Sequence, residues 1–206
     1  MAGPALKWRS CREPDPVNAL LCGAVLAGGR ASRFGEDKTR LPVQGRSLAS
    51  HLLTLQAAAG LSPLFLCAAS APNDLPAGVR LLPDEVGGLG PLGGLATLLK
   101  AAPKPVLVLA GDMPGIDAAA LAALIQAWQP GSRGLVAEGP DGLHPLLAIY
   151  SPGLVTGLLQ RLEQGQRSVQ DWVRAEALDT WRLPSLDWAY NINTKADWLH
   201  WQRRQA

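Results

Sequence analysis

Short, continuous apolar runs alternate along the chain with longer stretches whose apolar residues recur at helical spacing. Residues 20–27 (LLCGAVLA) read as a buried strand, 63–69 (PLFLCAA) as a second, 79–82 as a third and 106–110 (VLVLA) as the most apolar of all. Between them, Leu48, Leu52, Leu55 and Ala59 recur at helical intervals from Ser47 and stop at Gly60, the pattern of a helix with a glycine terminator. A glycine-rich loop is expected over 87–94, a helix from there to about Ala101, and another over 116–128. Strands near 134–137 and 146–150, helices around 152–163 and 169–175, a short strand near Tyr190 and a closing helix from Thr194 complete the pattern.

Continuous apolar strands separated by helices predict an α/β fold with a mostly parallel sheet covered by helices on both faces. Ligands of such sheets lie beyond the carboxyl ends of the strands, so the loops that follow strands are where chemistry is sought. With 206 residues and neither an internal repeat nor an evident linker, one domain over 20–206 is expected, preceded by a mobile leader over 1–19. A net charge of +2 without basic runs gives no footprint for nucleic acid. No apolar stretch approaches the roughly 20 residues that span a bilayer, and nothing after the opening basic residues resembles the apolar core of a signal peptide. Cys11, Cys22 and Cys67 form no paired framework, as expected of a cytoplasmic protein with reduced thiols.

Four segments carry candidate chemistry. The first, LAGGRASRFGEDK over 26–38, follows the first strand. Gly28 and Gly29 permit a sharp turn with exposed N–H groups, and Arg33 and Lys38 supply charge for a triphosphate. The spacing matches neither of the two common nucleotide loops. The second is Asp112 in GDMP, at the end of the strongest strand, where a carboxylate can bridge a hard cation such as Mg2+ to phosphate oxygens. Its competing reading is a helix cap, for which Asp117 is better placed.

The third is Asp84 with the small residues Gly90-Pro91-Leu92-Gly93-Gly94, where a base or ribose can approach the backbone. Carbonyls of that loop are available to accept N–H donors of a bound base. The fourth is Asn191-Ile192-Asn193-Thr194. Thr194 is a plausible N-cap, and in an extended segment Asn191 and Asn193 face one side, toward a metal or an acceptor. His144 and Arg167 are further candidates for an acceptor phosphate, against the plainer readings of a structural histidine and a solvated arginine.

Taken together, LAGGRASRFGEDK, LLPD ending at Asp84, GPLGGL, LVLAGDMP, HPLLAIY, GQRS and NINTKADWL resemble the molybdenum cofactor guanylyltransferase (MobA) family, in the family's order from about Gly23 to Trp201. The resemblance implies a Rossmann-like nucleotidyltransferase fold and Mg2+-dependent transfer of GMP from GTP to the terminal phosphate of molybdopterin, with Mn2+ as the alternative ion. It implies that Leu26, Ala27 and Gly28 contact GTP, that Lys38 meets its phosphates, that Asp84 holds the nucleoside and that Asp112 ligates the metal. Molybdopterin or the molybdenum cofactor is the implied acceptor, and cofactor-assembly proteins are candidate partners.

The chain departs from the family at Cys67-Ala68-Ala69-Ser70, where some relatives carry a nucleotide-contacting asparagine, and at Lys195-Ala196, where Pro-Glu is usual. Relatives that transfer CMP tend to carry aspartates where Asn191 and Asn193 stand, which favours GTP. The expected chemistry is in-line attack by an acceptor phosphate oxygen on the α-phosphorus. Rival readings are a cytidylyl or sugar-phosphate nucleotidyltransferase of the same fold, or a module that binds nucleotide without turnover.

Overall fold

The computed structural model describes residues 17–27, 37–83 and 89–205. Its centre is a seven-stranded sheet of β1 (Cys22–Leu26), β4 (Leu64–Cys67), β5 (Val79–Leu82), β6 (Val106–Ala110), β7 (Gly134–Gly139), β8 (Gly142–Tyr150) and β9 (Asp179–Arg182). In space the order is β5-β4-β1-β6-β8-β7-β9. Only β8 runs against its neighbours; the others share one direction. A separate two-stranded hairpin, β2 (Pro42–Val43) with β3 (Arg46–Ser47), precedes the first helix.

Successive residues of the central strands feed two cores. Val25, Leu107 and Leu109 point to one, packed under α1 (Leu48–Ala58), α3 (Ala118–Ala127) and α6 (Lys195–Gln205). Cys22, Ala24, Leu26, Val106 and Val108 point to the other, under α2 (Gly90–Ala101), α4 (Val155–Glu163) and α5 (Val169–Ala175). The period-two alternation of a strand thus carries apolar side chains to both faces, as the unbroken apolar runs predict.

Local chemistry sets the helix ends. Ser47 caps α1 by accepting from Ser50 N–H (3.3 Å), and Gly60 follows it with φ of 83°. Asp117 caps α3, accepting from Ala120 N–H at 2.7 Å. Of the leader expected over 1–19, residues 1–16 lie outside the described residues, whereas 17–19 are tied to the domain. Val17 packs on the first core, Asn18 Nδ2 donates to Ala59 O (2.7 Å) and Lys104 Nζ to Ala19 O (2.6 Å).

Two expectations need correction. Glycines 90, 93 and 94 belong not to a loop but to the opening turns of α2, where Pro91 suits a helix's first turn and Gly93 leaves room for the Leu89 side chain, which a β-carbon there would strike. No strand forms at Tyr190; a 3-10 turn (Leu186–Ala189) leads there into an extended segment outside the sheet. The strand that does form is β9, whose exposed edge position tolerates the polar sequence DTWR. Among the described residues, no helix is long and apolar enough to cross a membrane.

α1 crosses β1 at Gly23, where a β-carbon would collide with Gln56 Oε1 and stand 2.7 Å from Leu64 Cδ2. Gln56 is fully buried and donates from Nε2 to Ala24 O at 3.1 Å, so it has little room to retreat. Gly23→Ala is therefore expected to cost about 1–3 kcal/mol in denaturant unfolding, the usual range for overpacking. An unchanged unfolding midpoint would show that the helix is free to move off the strand.

Candidate active site

The carboxyl ends of β4, β1 and β6 are stitched side by side: Ala27 N–H donates to Cys67 O and Gly111 N–H to Leu26 O, both at 2.8 Å. Leu26 is buried beneath α2, where its side chain faces Gly94, and Ala27 is half-buried at the rim. Gly28, Gly29 and Arg33 of the glycine loop, and Asp84, lie outside the described residues. Gly90 and Pro91 open α2 nearby, and the positive end of a helix dipole suits an anion.

Lys38 begins a short 3-10 turn, Lys38–Arg40, fixed by Asp37, whose Oδ1 accepts from Thr39 N–H (3.1 Å) and Thr39 Oγ1 (2.6 Å). Its ammonium stands 3.4 Å from Asp112 Oδ2 and 3.2 Å from Asn193 Oδ1. Asp112 follows β6, and with Asp117 serving as the cap of α3 its carboxylate is left for the site. Burial pushes the Asp112 carboxyl above the ordinary aspartate range, and the nearby Lys38 charge opposes that rise without cancelling it.

The last motif reaches the same place by a long return of the chain. Gly115 lets the backbone of residues 187–188 press against it; a β-carbon there would strike the Asp187 carbonyl oxygen. Ile192 is fully buried and its N–H donates to Asp112 O at 2.8 Å. Asn191 and Asn193 consequently project to one side, as the alternation predicts, and both line a cleft of about 360 Å3. That size falls in the range of small-molecule sites.

The cleft also holds Asp112 and His144. His144 is the third residue of β8, with Nε2 3.1 Å from Asp141 Oδ1 and only 12% of its side chain exposed. Sequence reasoning missed Asp141 and Gln170, which line the same wall; Gln170 Nε2 approaches Leu143 O at 3.4 Å. Nothing in their local sequence separates them from ordinary turn and helix residues, because only the antiparallel return of β8 and the docking of α5 bring them in. Arg167 is not among the residues that line the cleft: its guanidinium donates to Leu162 O (2.8 Å) between α4 and α5. No cluster of three or more metal-ligating His, Cys, Asp or Glu occurs among the described residues.

This geometry accords with what the chain resembles. Residues 23–180 match the family model described as the MobA-like NTP transferase domain. A protein of Opitutus terrae named "Probable molybdenum cofactor guanylyltransferase" is 38% identical over 161 residues, covering 76% of this chain and 79% of its own. One of Chloroflexus aggregans with the same name is 37% identical over 199 residues, covering 88% and 93%. In fold, the chain is similar to the crystal structure of molybdopterin-guanine dinucleotide biosynthesis protein A from Archaeoglobus fulgidus (TM-score 0.66, 23% identity, 86% and 95% covered). With its sheet order, its GDMP turn and its returning NINT segment, the chain belongs to the MobA-like NTP transferase family.

Proposed function

We propose that the protein transfers GMP from GTP to the terminal phosphate of molybdopterin and releases pyrophosphate. The observation that carries this reading is the meeting of Lys38, Asp112 and Asn193 at the carboxyl end of β6, beside a cleft of about 360 Å3 that Asp112 and Asn193 line. The names of the relatives, molybdenum cofactor guanylyltransferases, support a guanylyl donor and a molybdenum-cofactor acceptor.

Asp112 suits a divalent cation. It is a hard oxygen donor whose burial disfavours its charge, a cost that a bound cation reverses, and Mg2+ commonly takes one or two carboxylates together with substrate phosphates and water. Mg2+ held there, or Mn2+, would supply charge neutralisation for the phosphates. The acceptor phosphate is already anionic near neutral pH, so attack on the α-phosphorus needs no general base. Lys38, with Arg33 and the N–H groups of the glycine loop, neutralises the departing pyrophosphate. The amides of Asn191 and Asn193 and the His144 imidazole, which line the cleft, hold the acceptor phosphate in line. Catalysis then rests on alignment and preorganised charge.

The first test is release of pyrophosphate with molybdopterin and Mg2+, GTP and CTP assayed in parallel. GTP is expected to exceed CTP by at least about 100-fold in kcat/KM, as for a site built around one base. Equal turnover, or preference for CTP, would overturn the guanylyl donor while leaving nucleotidyl transfer in place.

Asp112→Asn separates catalysis from stability. The folded protein holds this carboxyl above its unfolded value, so its charge opposes folding at neutral pH and ceases to do so once it is protonated in both states. The amide variant is therefore expected to melt at or above the wild-type temperature at pH 7 without metal, the difference closing as the pH falls below about 4. Its transfer rate should drop by roughly 100-fold or more. A destabilised variant with full activity would assign Asp112 to the scaffold. Mg2+ should raise the melting temperature of the wild type in the presence of GTP and have less effect on the variant.

Lys38→Ala, with stability kept within about 0.5 kcal/mol, should weaken GTP binding or slow transfer. Intact GTP affinity combined with a large loss of stability would make Lys38 a structural residue.

A further inference from the structure

Asp197 lies in the first turn of α6 and has no part in the reading above, yet it grips the segment that supplies Asn193. Its Oδ2 accepts from Thr194 N–H at 2.7 Å, while Thr194 Oγ1 accepts from Asp197 N–H at 3.2 Å. That reciprocal pair is a helix cap and explains itself as one. A second bond lies outside the cap: the same Oδ2 accepts from Asn193 N–H at 2.8 Å, one residue ahead of the capping position. The Asp197 carbonyl also accepts from the Tyr190 hydroxyl at 3.1 Å, so both ends of the 190–194 segment are tied to one residue.

The consequence runs through Asn193 to the ammonium of Lys38. A lysine head is a point charge on a flexible stem, and its position is only as well defined as that of its partners. Among the described residues, Asn193 Oδ1 (3.2 Å) and Asp112 Oδ2 (3.4 Å) are the hydrogen-bond acceptors that Lys38 meets. Asp112 is fixed by the end of β6. Asn193 is exposed and follows the buried Ile192, so its backbone is anchored by Ile192 on one side and by Asp197 on the other. The bonds from the Asn193 and Thr194 backbones help hold the Asp197 carboxyl below the ordinary aspartate range, keeping it a charged acceptor at working pH.

We propose that Asp197 is a positioning residue for nucleotidyl transfer, which fixes the Asn193 amide and through it the placement of the Lys38 ammonium beside Asp112. The proposal rests on the reading of Lys38 and Asp112 as phosphate and metal groups.

The test is a double-mutant cycle with Asp197→Ala and Asn193→Ala, accompanied by Asp197→Asn and Thr194→Ala. It reads pyrophosphate release, thermal unfolding and the NMR resonances of the Asn193 side-chain amide and the Lys38 ammonium. Asp197→Ala is expected to lower kcat by roughly 10- to 100-fold, the scale of a small misplacement in a reacting site. It should add no loss on the Asn193→Ala background and should shift both resonances. Asp197→Asn keeps an oxygen acceptor and should retain most of the activity. Thr194→Ala removes the other half of the cap without touching the Asn193 N–H, so it should lower stability and spare kcat.

Additive losses in the cycle would overturn the proposal, as would a Thr194→Ala loss of kcat equal to that of Asp197→Ala, or unmoved resonances in Asp197→Ala. If the wild type releases pyrophosphate from no triphosphate, the transfer reading falls instead, and the resonances alone still decide whether Asp197 holds Asn193 and Lys38.

Discussion

A strand buried on both faces can deliver polar chemistry only at its end, and this protein is organised around that constraint at β6. All five residues from Val106 to Ala110 are buried, flanked by β1 on one side and β8 on the other. No polar side chain fits within the strand without losing its hydration. Asp112 follows as soon as the strand has cleared the sheet, with its backbone carbonyl still bonded to the Ile192 N–H and its carboxylate at the rim. Among the described residues, three further groups are brought there: Lys38 from the region after β1, the asparagines from the NINT segment before α6, and His144 from the antiparallel neighbour β8.

The single reversed strand has a functional consequence. In an all-parallel sheet every strand would present its carboxyl end at this edge. Because β8 runs the other way, it presents the start of its run instead, so His144 and Pro145 arrive at the edge that Asp112 occupies. The other end of β8 is buried at Tyr150, stacked at a tilt 5.2 Å from Trp172, which ties α5 to the same strand. One wall of the cleft is thus built by the strand that breaks the parallel pattern of the sheet.

What the sequence made legible follows from the range of the forces involved. β1, β4 and β6 announce themselves because burial on both faces demands unbroken apolar runs. Asp117 was separable from Asp112 because capping is local chemistry, and the shared side of Asn191 and Asn193 follows from the alternation of an extended chain. β9 was hidden because an edge strand needs no apolar pattern, and DTWR has only one apolar residue. The glycines of GPLGGL misled for the opposite reason: their composition signals a loop, whereas their packing under Leu89 and beside Leu26 makes them the foot of a helix. Asp141 and Gln170 enter the cleft only through tertiary placement, and no local signal marks them.

The central claim is that the carboxyl end of β6 directs an acceptor to the α-phosphorus with pyrophosphate leaving. Incubating the protein with molybdopterin, Mg2+ and GTP labelled at either the α or the γ phosphorus tests it directly. The account predicts that α-label appears in the pterin product and γ-label in pyrophosphate. Transfer of γ-label to the acceptor, or its release as free phosphate with the α-label left in GDP, would contradict it.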